Sequence, residues 1–216
     1  MRRLACCLGA LFLVVGILAA PASADHEGNP DISGITKLFN QPNGAGDANA
    51  INSDIAFWGD RAYQGNYGGV QIFDISEPAS PNLLNNFKCN GPQNDPVIWG
   101  DLLFLAVDRT QTGPECGSTD TTRIDETGTE VRFDEDPDGW EGVRILDVSD
   151  PADPEFIKGV YTDCGAHTIT LYPRSKRSVL LYVSSYPLRP GPTCGPDTGP
   201  PAGNSPLHEK ISVIKV

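Results

Sequence analysis

The sequence predicts an all-β fold: a β-propeller-like array of four-stranded antiparallel blades, incomplete, with about three blades' worth of strands. Three observations lead there. Gly69-Val-Gln-Ile-Phe-Asp-Ile-Ser-Glu-Pro-Ala-Ser-Pro81 returns as Gly142-Val-Arg-Ile-Leu-Asp-Val-Ser-Asp-Pro-Ala-Asp-Pro154, with eight of 13 positions identical. Repeated units stack, and so fix architecture before any local signal does. Short β-branched runs recur, bounded by Gly before and Asp-x-Ser-x-Pro after. Amphipathic helical periodicity is missing outside the N-terminal apolar run.

Taken in order, residues 1–24 read as a cleaved signal peptide. Arg2 and Arg3 give a positive start, residues 8–20 are uncharged, and Ala22-Ser23-Ala24 offers a small-x-small cleavage site. The apolar run is too short to span a bilayer of about 30 Å. The expectation is therefore a secreted product with no transmembrane segment in the mature chain. A short tail, residues 25–33, precedes repeats over residues 34–216.

The formal net charge is −12, and losing Arg2 and Arg3 makes it more negative. Such a surface repels phosphate backbones, which argues against nucleic acid as a partner. An extracellular protein or a small ligand remains as the expected partner.

Within each unit, four strands are expected, designated a to d. Residues 70–75 and 143–148 are strand c, nearly continuously apolar as a strand covered on both faces would be. Strand d follows at 83–88 and 155–161. Asp54-Ile-Ala-Phe-Trp-Gly-Asp aligns with Asp95-Pro-Val-Ile-Trp-Gly-Asp, each an a strand entering a hairpin turn. A third unit opens at His167 and resumes with a strand c at 211–216. Residues 35–39 resemble an orphan strand d. Rings usually need four to eight blades, so the count predicts truncation at the C-terminus, with a compact three-unit closure as the alternative.

The wording Val-x-Ile-x-Asp-Ile/Val-Ser-x-Pro-x-x-Pro resembles the LVIVD-repeat proteins, secreted or surface-associated bacterial β-propellers. That resemblance implies a propeller and carries no set of catalytic residues with it.

Four cysteines lie beyond the signal segment, an even number suited to an oxidising compartment. Four allow three pairings. Cys116 and Cys194 share a Gly-Pro-x-Cys-Gly motif after strand b, and Cys89 and Cys164 each follow strand d. Equivalent cysteines pair most simply within a unit, Cys89 with Cys116 and Cys164 with Cys194. A metal site is the competing reading, but no C-x-x-C pair supports it. Both staples would join d-to-a and b-to-c loops, which emerge on one face of an antiparallel blade. The long insertions, 109–140 and 185–209, are b-to-c loops on that same face.

Asp134, Asp136 and Asp138 followed by Gly139 resemble the alternating core of a calcium loop, with Glu141 as a further ligand. Pro137 and Ile145 at the closing position depart from it. The alternative is a solvated acidic loop, since residues 109–141 carry ten acids against three bases. His167 and its counterparts Ser53 and Asn94 are candidates for the mouth of a central channel, though a hydrogen-bonded structural histidine is the more common arrangement. Trp58 and Trp99 recur with the scaffold, which suggests packing between blades. No G-x-S-x-G, H-E-x-x-H or phosphate loop appears. The resulting expectation is a binding or interaction scaffold. A calcium-dependent propeller hydrolase or lactonase is the alternative.

Overall fold

Asp-x-Ser stops and Gly starts divide the chain into strands at regular intervals. The computed structural model describes residues 38, 51–120, 123–124, 130–131, 139–162, 165–185 and 211–216. Strands β1 (Asn52–Trp58), β2 (Arg61–Asn66), β3 (Gly69–Asp74) and β4 (Asn82–Lys88) pair in sequence order as one antiparallel sheet. The second sheet holds β5 (Gln93–Trp99), β6 (Leu102–Gln111), β9 (Trp140–Asp147) and β10 (Glu155–Tyr161), in the order β5-β6-β9-β10. Between β6 and β9, the short strands β7 (Arg123–Ile124) and β8 (Glu130–Val131) pair with each other. The third sheet is β11 (Thr168–Ser175), β12 (Ser178–Ser184) and β13 (Ile211–Lys215). Among the described residues this is an all-β array whose three larger sheets have four, four and three antiparallel strands. These form no closed barrel and are consistent with an incomplete propeller.

Two-sided burial explains the nearly continuous apolarity. In β6, Leu103 and Leu105 pack with Tyr63, Val70 and Ile72 of the first sheet. Their neighbours Phe104 and Ala106 point the other way, into a cluster with Ile169, Val179 and Leu181 of the third sheet. β9 alternates likewise, Leu146 toward the first sheet and Val143 and Ile145 toward the third. The second sheet is therefore the filling between two others, and β5 packs against β1 on one side and β11 on the other.

Strands β3 and β9 each end at an aspartate that bonds the backbone N–H two residues on. Ser76 donates to Asp74 Oδ1 at 2.9 Å, and Ser149 to Asp147 Oδ1 at 2.8 Å. Those backbone donors, helped by the serine hydroxyls, hold both carboxyls below their ordinary value.

At the other end of strand c, Gly69 (φ +145°) and Gly142 (φ +149°) adopt a conformation open essentially to glycine. A Cβ there would also run into the carbonyl oxygens of Phe87 and Val160. Gly69→Ala and Gly142→Ala are each expected to lower stability by about 3 kcal/mol or more, read from urea midpoints. Gly117→Ala, whose Cβ would meet nothing within 4 Å, should stay within about 0.5 kcal/mol.

Candidate functional site

The loop face begins with one covalent bond. Cys89, just after β4, is joined to Cys116 in the β6–β9 connection. The two loops so stapled are the d-to-a and b-to-c connections, on the same face. Cys164 and Cys194 lie outside the described residues.

Beside the disulfide, Arg144 of β9 is fully buried and donates into both loops. Its guanidinium reaches Pro114 O at 2.8 Å, Ser118 Oγ at 2.7 Å, Glu115 O at 3.3 Å and the carbonyl of Asn90. Burial pulls its pKa down to about 10, against the opposing charge of Glu115, so it stays protonated at neutral pH. The Trp140 ring lies 5.4 Å from the guanidinium carbon.

A cleft of about 290 Å³ opens between these loops and the first sheet, lined by Tyr67, Asn90, Arg109, Gln111 and Asp120 among others. Arg109 stands 6.0 Å over the Tyr67 ring and 3.9 Å from Asp120. Among the described residues its Nε is buried and unbonded.

Where the three sheets meet, they contribute to a polar cluster. Asp54 comes from β1, Asp95 from β5, Asp108 from β6, and His167 immediately precedes β11. His167 Nδ1 and Asp108 Oδ2 are 3.0 Å apart. Asp95 is 5 % exposed, and its pKa is raised from 3.8 to about 6. Burial is the main cause, followed by the charge of Asp54; the Ile169 N–H and His167 pull the other way, and a hydrogen bond with Asp54 adds to the rise. Burial also raises Asp108, although the hydrogen bond and charge of His167 oppose it. Such an arrangement can share, hold and pass protons, or receive a hydrogen-bond donor.

The mouth candidates separate. His167 joins this cluster. Asn94 is fully buried, with φ +49°, and its Nδ2 donates to Asn66 O and Cys89 O, both at 2.9 Å. The Ser53 hydroxyl and the Asn94 carbonyl oxygen both lie against Gly65 of β2, inside the junction between the first two sheets. Pairing shifts register at Asn52/Ile55 and at Gln93/Asp95, and it is the next residue in each case, Asp54 or Asp95, that joins the cluster.

Glu141 is buried and accepts from Thr110 Oγ1 at 2.6 Å. Asp134, Asp136 and Asp138 lie outside the described residues, among which no His/Cys/Asp/Glu group has metal-binding geometry. Trp99 packs on the cluster between the second and third sheets. Trp58 is instead 48 % exposed, and with Trp99 and Lys176 it lines a cleft of about 540 Å³ where the β1–β2, β5–β6 and β11–β12 hairpins turn.

Residues 46–89 and 137–162 match the LVIVD repeat. The matches cover β1–β4 and β9–β10. No curated protein matches the chain. No helix among the described residues is long and apolar enough to cross a membrane.

Asp95 makes a pH test possible. Its folded carboxyl keeps a proton that the unfolded chain has lost above 3.8, so ionisation burdens the fold above about 6. That burden lifts as pH falls through 6 toward 3.8. Asp95→Asn should therefore raise the melting temperature most above pH 6, with its advantage over the parent shrinking toward pH 4. An offset constant across pH 4–8 contradicts the assignment.

Proposed function

We propose that this chain is a secreted β-propeller-type binding scaffold that takes its ligand on the loop face. The observation carrying this reading is the cleft of Tyr67, Arg109, Gln111 and Asp120, walled by two loops that Cys89–Cys116 and Arg144 hold together. A recognition surface works best when its loops are held before the ligand arrives, because ordering them on binding costs affinity. Export is supported by the features of residues 1–24 and by the disulfide itself, which persists in an oxidising compartment.

The cleft offers a guanidinium, a carboxylate, an amide and an aromatic ring within a small volume. That mixture suits a peptide segment, whose carboxylate, amides and amine can each find a partner. A pool of soluble tri- and tetrapeptides, titrated into labelled protein, should shift the amides of Tyr67, Gly91 and Gln111. Tyr67→Ala should abolish those shifts. Shifts elsewhere, or none at millimolar peptide, contradict the reading.

One observation favours the hydrolase or lactonase alternative: the Asp108–His167 pair beside the buried Asp95. It would draw calcium from Asp134, Asp136, Asp138 and Glu141. Calcium-dependent opening of a simple lactone, lost in His167→Gln and retained in Tyr67→Ala, would replace the scaffold reading.

A further inference from the structure

Arg144 does more than tie two loops together, because its guanidinium also lies against sulfur. Nη1 is 3.5 Å from Cys89 Sγ, within donating distance, and it donates as well to the carbonyls of Cys89 and Asn90. Nε and Nη2 donate to Pro114 O, Glu115 O and Ser118 Oγ. Among the described residues, every oxygen that accepts from this guanidinium is a carbonyl or a hydroxyl, so the buried cation has no carboxylate bonded to it. A buried charge is costly until a counter-charge reaches it. A thiolate at Cys89 is such a counter-charge, and it forms when the disulfide opens.

The two sulfurs differ in kind. Cys89 is fully buried in the core cluster with Val70, Ile72 and Leu105, whereas Cys116 is only partly buried. Exchange is favoured when the incoming thiolate meets a reachable sulfur and the leaving sulfur is the more acidic thiol. Here those demands fall on different cysteines, access on Cys116 and stabilisation on Cys89. Other charges do not cancel the arginine. Lys88 and Glu115, each next in sequence to one of the cysteines, are exposed and opposite in sign. Tyr63 of the same cluster stays neutral, since burial raises its hydroxyl above the ordinary value.

We propose that Cys89–Cys116 is a thiol–disulfide exchange site, opened by a small soluble thiol at Cys116, with Cys89 as leaving group and Arg144 as its counter-cation. The thiolate attacks Cys116 Sγ, the S–S bond breaks, and its electron pair departs on Cys89 Sγ. A mixed disulfide remains on Cys116. A second thiolate attacks the small-molecule sulfur of that mixed disulfide, and Cys116 leaves and takes a proton from water. Two thiols are thereby oxidised to one disulfide while the protein gains two electrons. Cys89 keeps its negative charge against the guanidinium. The product lacks the covalent tie between the walls of the Tyr67–Arg109 cleft, so exchange sets how firmly that cleft is held.

A free cysteine has a thiol pKa of about 8.5, and an adjacent arginine lowers it to between about 3.5 and 7.5. Opening the bond therefore releases a net proton between the lowered value and 8.5. In buffers of fixed glutathione and glutathione disulfide, the ratio of reduced to oxidised Cys89–Cys116 should rise about threefold or more from pH 6.5 to pH 8. Acid quenching, maleimide labelling and peptide mass mapping read that ratio, and the transient glutathione adduct should sit on Cys116. In Arg144→Gln the ratio should stay within about 1.5-fold across the same range. A purely structural arginine would shift the ratio at every pH and leave its slope alone. Circular dichroism checks that the variant is folded, and the slope of the parent tests the proposal without it. None of these readouts needs a cleft ligand, so their failure leaves the peptide reading untouched. A bond left intact in fully reduced glutathione, a ratio flat with pH in the parent, an unchanged slope in folded Arg144→Gln, or an adduct on Cys89 would each overturn the proposal.

Discussion

One buried cation organises the functional face. Arg144 stands in the middle of a strand whose neighbours Val143 and Leu146 are core residues, and its guanidinium has no exposed surface. Burying a charge is costly unless its donors are met. Here carbonyls and a hydroxyl from two separate loops meet them. The same bonds that make the burial tolerable fix the loops, so stability of the sheet and shape of the face are one problem. The disulfide acts in the same place by a different route, limiting how far the loops separate when those bonds break.

The equivalent position in the first unit is Gln71, which is 8 % exposed and belongs to a sheet without a stapled insertion. The repeat has thus been specialised at a single strand position. Blade two carries the arginine, Trp140 beside it, and the insertion that supplies the acceptors. Gly159 gives the indole room, since a Cβ there would meet the Trp140 ring. Near this fixed loop pair lie the Tyr67–Arg109 cleft and the Asp95–His167 cluster. Both are built from residues at strand ends, where a rigid sheet positions chemistry without taking part in it.

The strands were legible because the repeat doubles every signal: Gly, an apolar run, then Asp-x-Ser. Repeat equivalence also led to the Cys89–Cys116 bond. The polar cluster was half legible. His167 stood out, yet its partners in the other units are Asp54 and Asp95, one residue beyond the nominated Ser53 and Asn94. Both aspartates already stood aligned in the repeat, but strand bulges decide which neighbour reaches the centre, and a bulge leaves no mark in composition. Arg144 could not be found this way. Among apolar neighbours an arginine reads as a solvent-facing residue on a half-exposed strand, and its acceptors lie 26 to 55 residues away. Trp58 illustrates the opposite error, since matching Trp99 in the repeat did not give it Trp99's covered environment.

Arg144→Gln transplants into blade two the residue that blade one uses, and so tests the organising role of the guanidinium without presuming that the fold is lost. Amide hydrogen exchange is the direct readout. The amides of Gly91 and Ser118, bonded to Tyr67 O and Glu115 O, sit in the two loops that Arg144 ties together. They should lose protection by roughly a hundredfold or more, while the strand amides of β3 and β12 keep theirs. Unchanged protection at Gly91 and Ser118 in a folded variant would contradict the account.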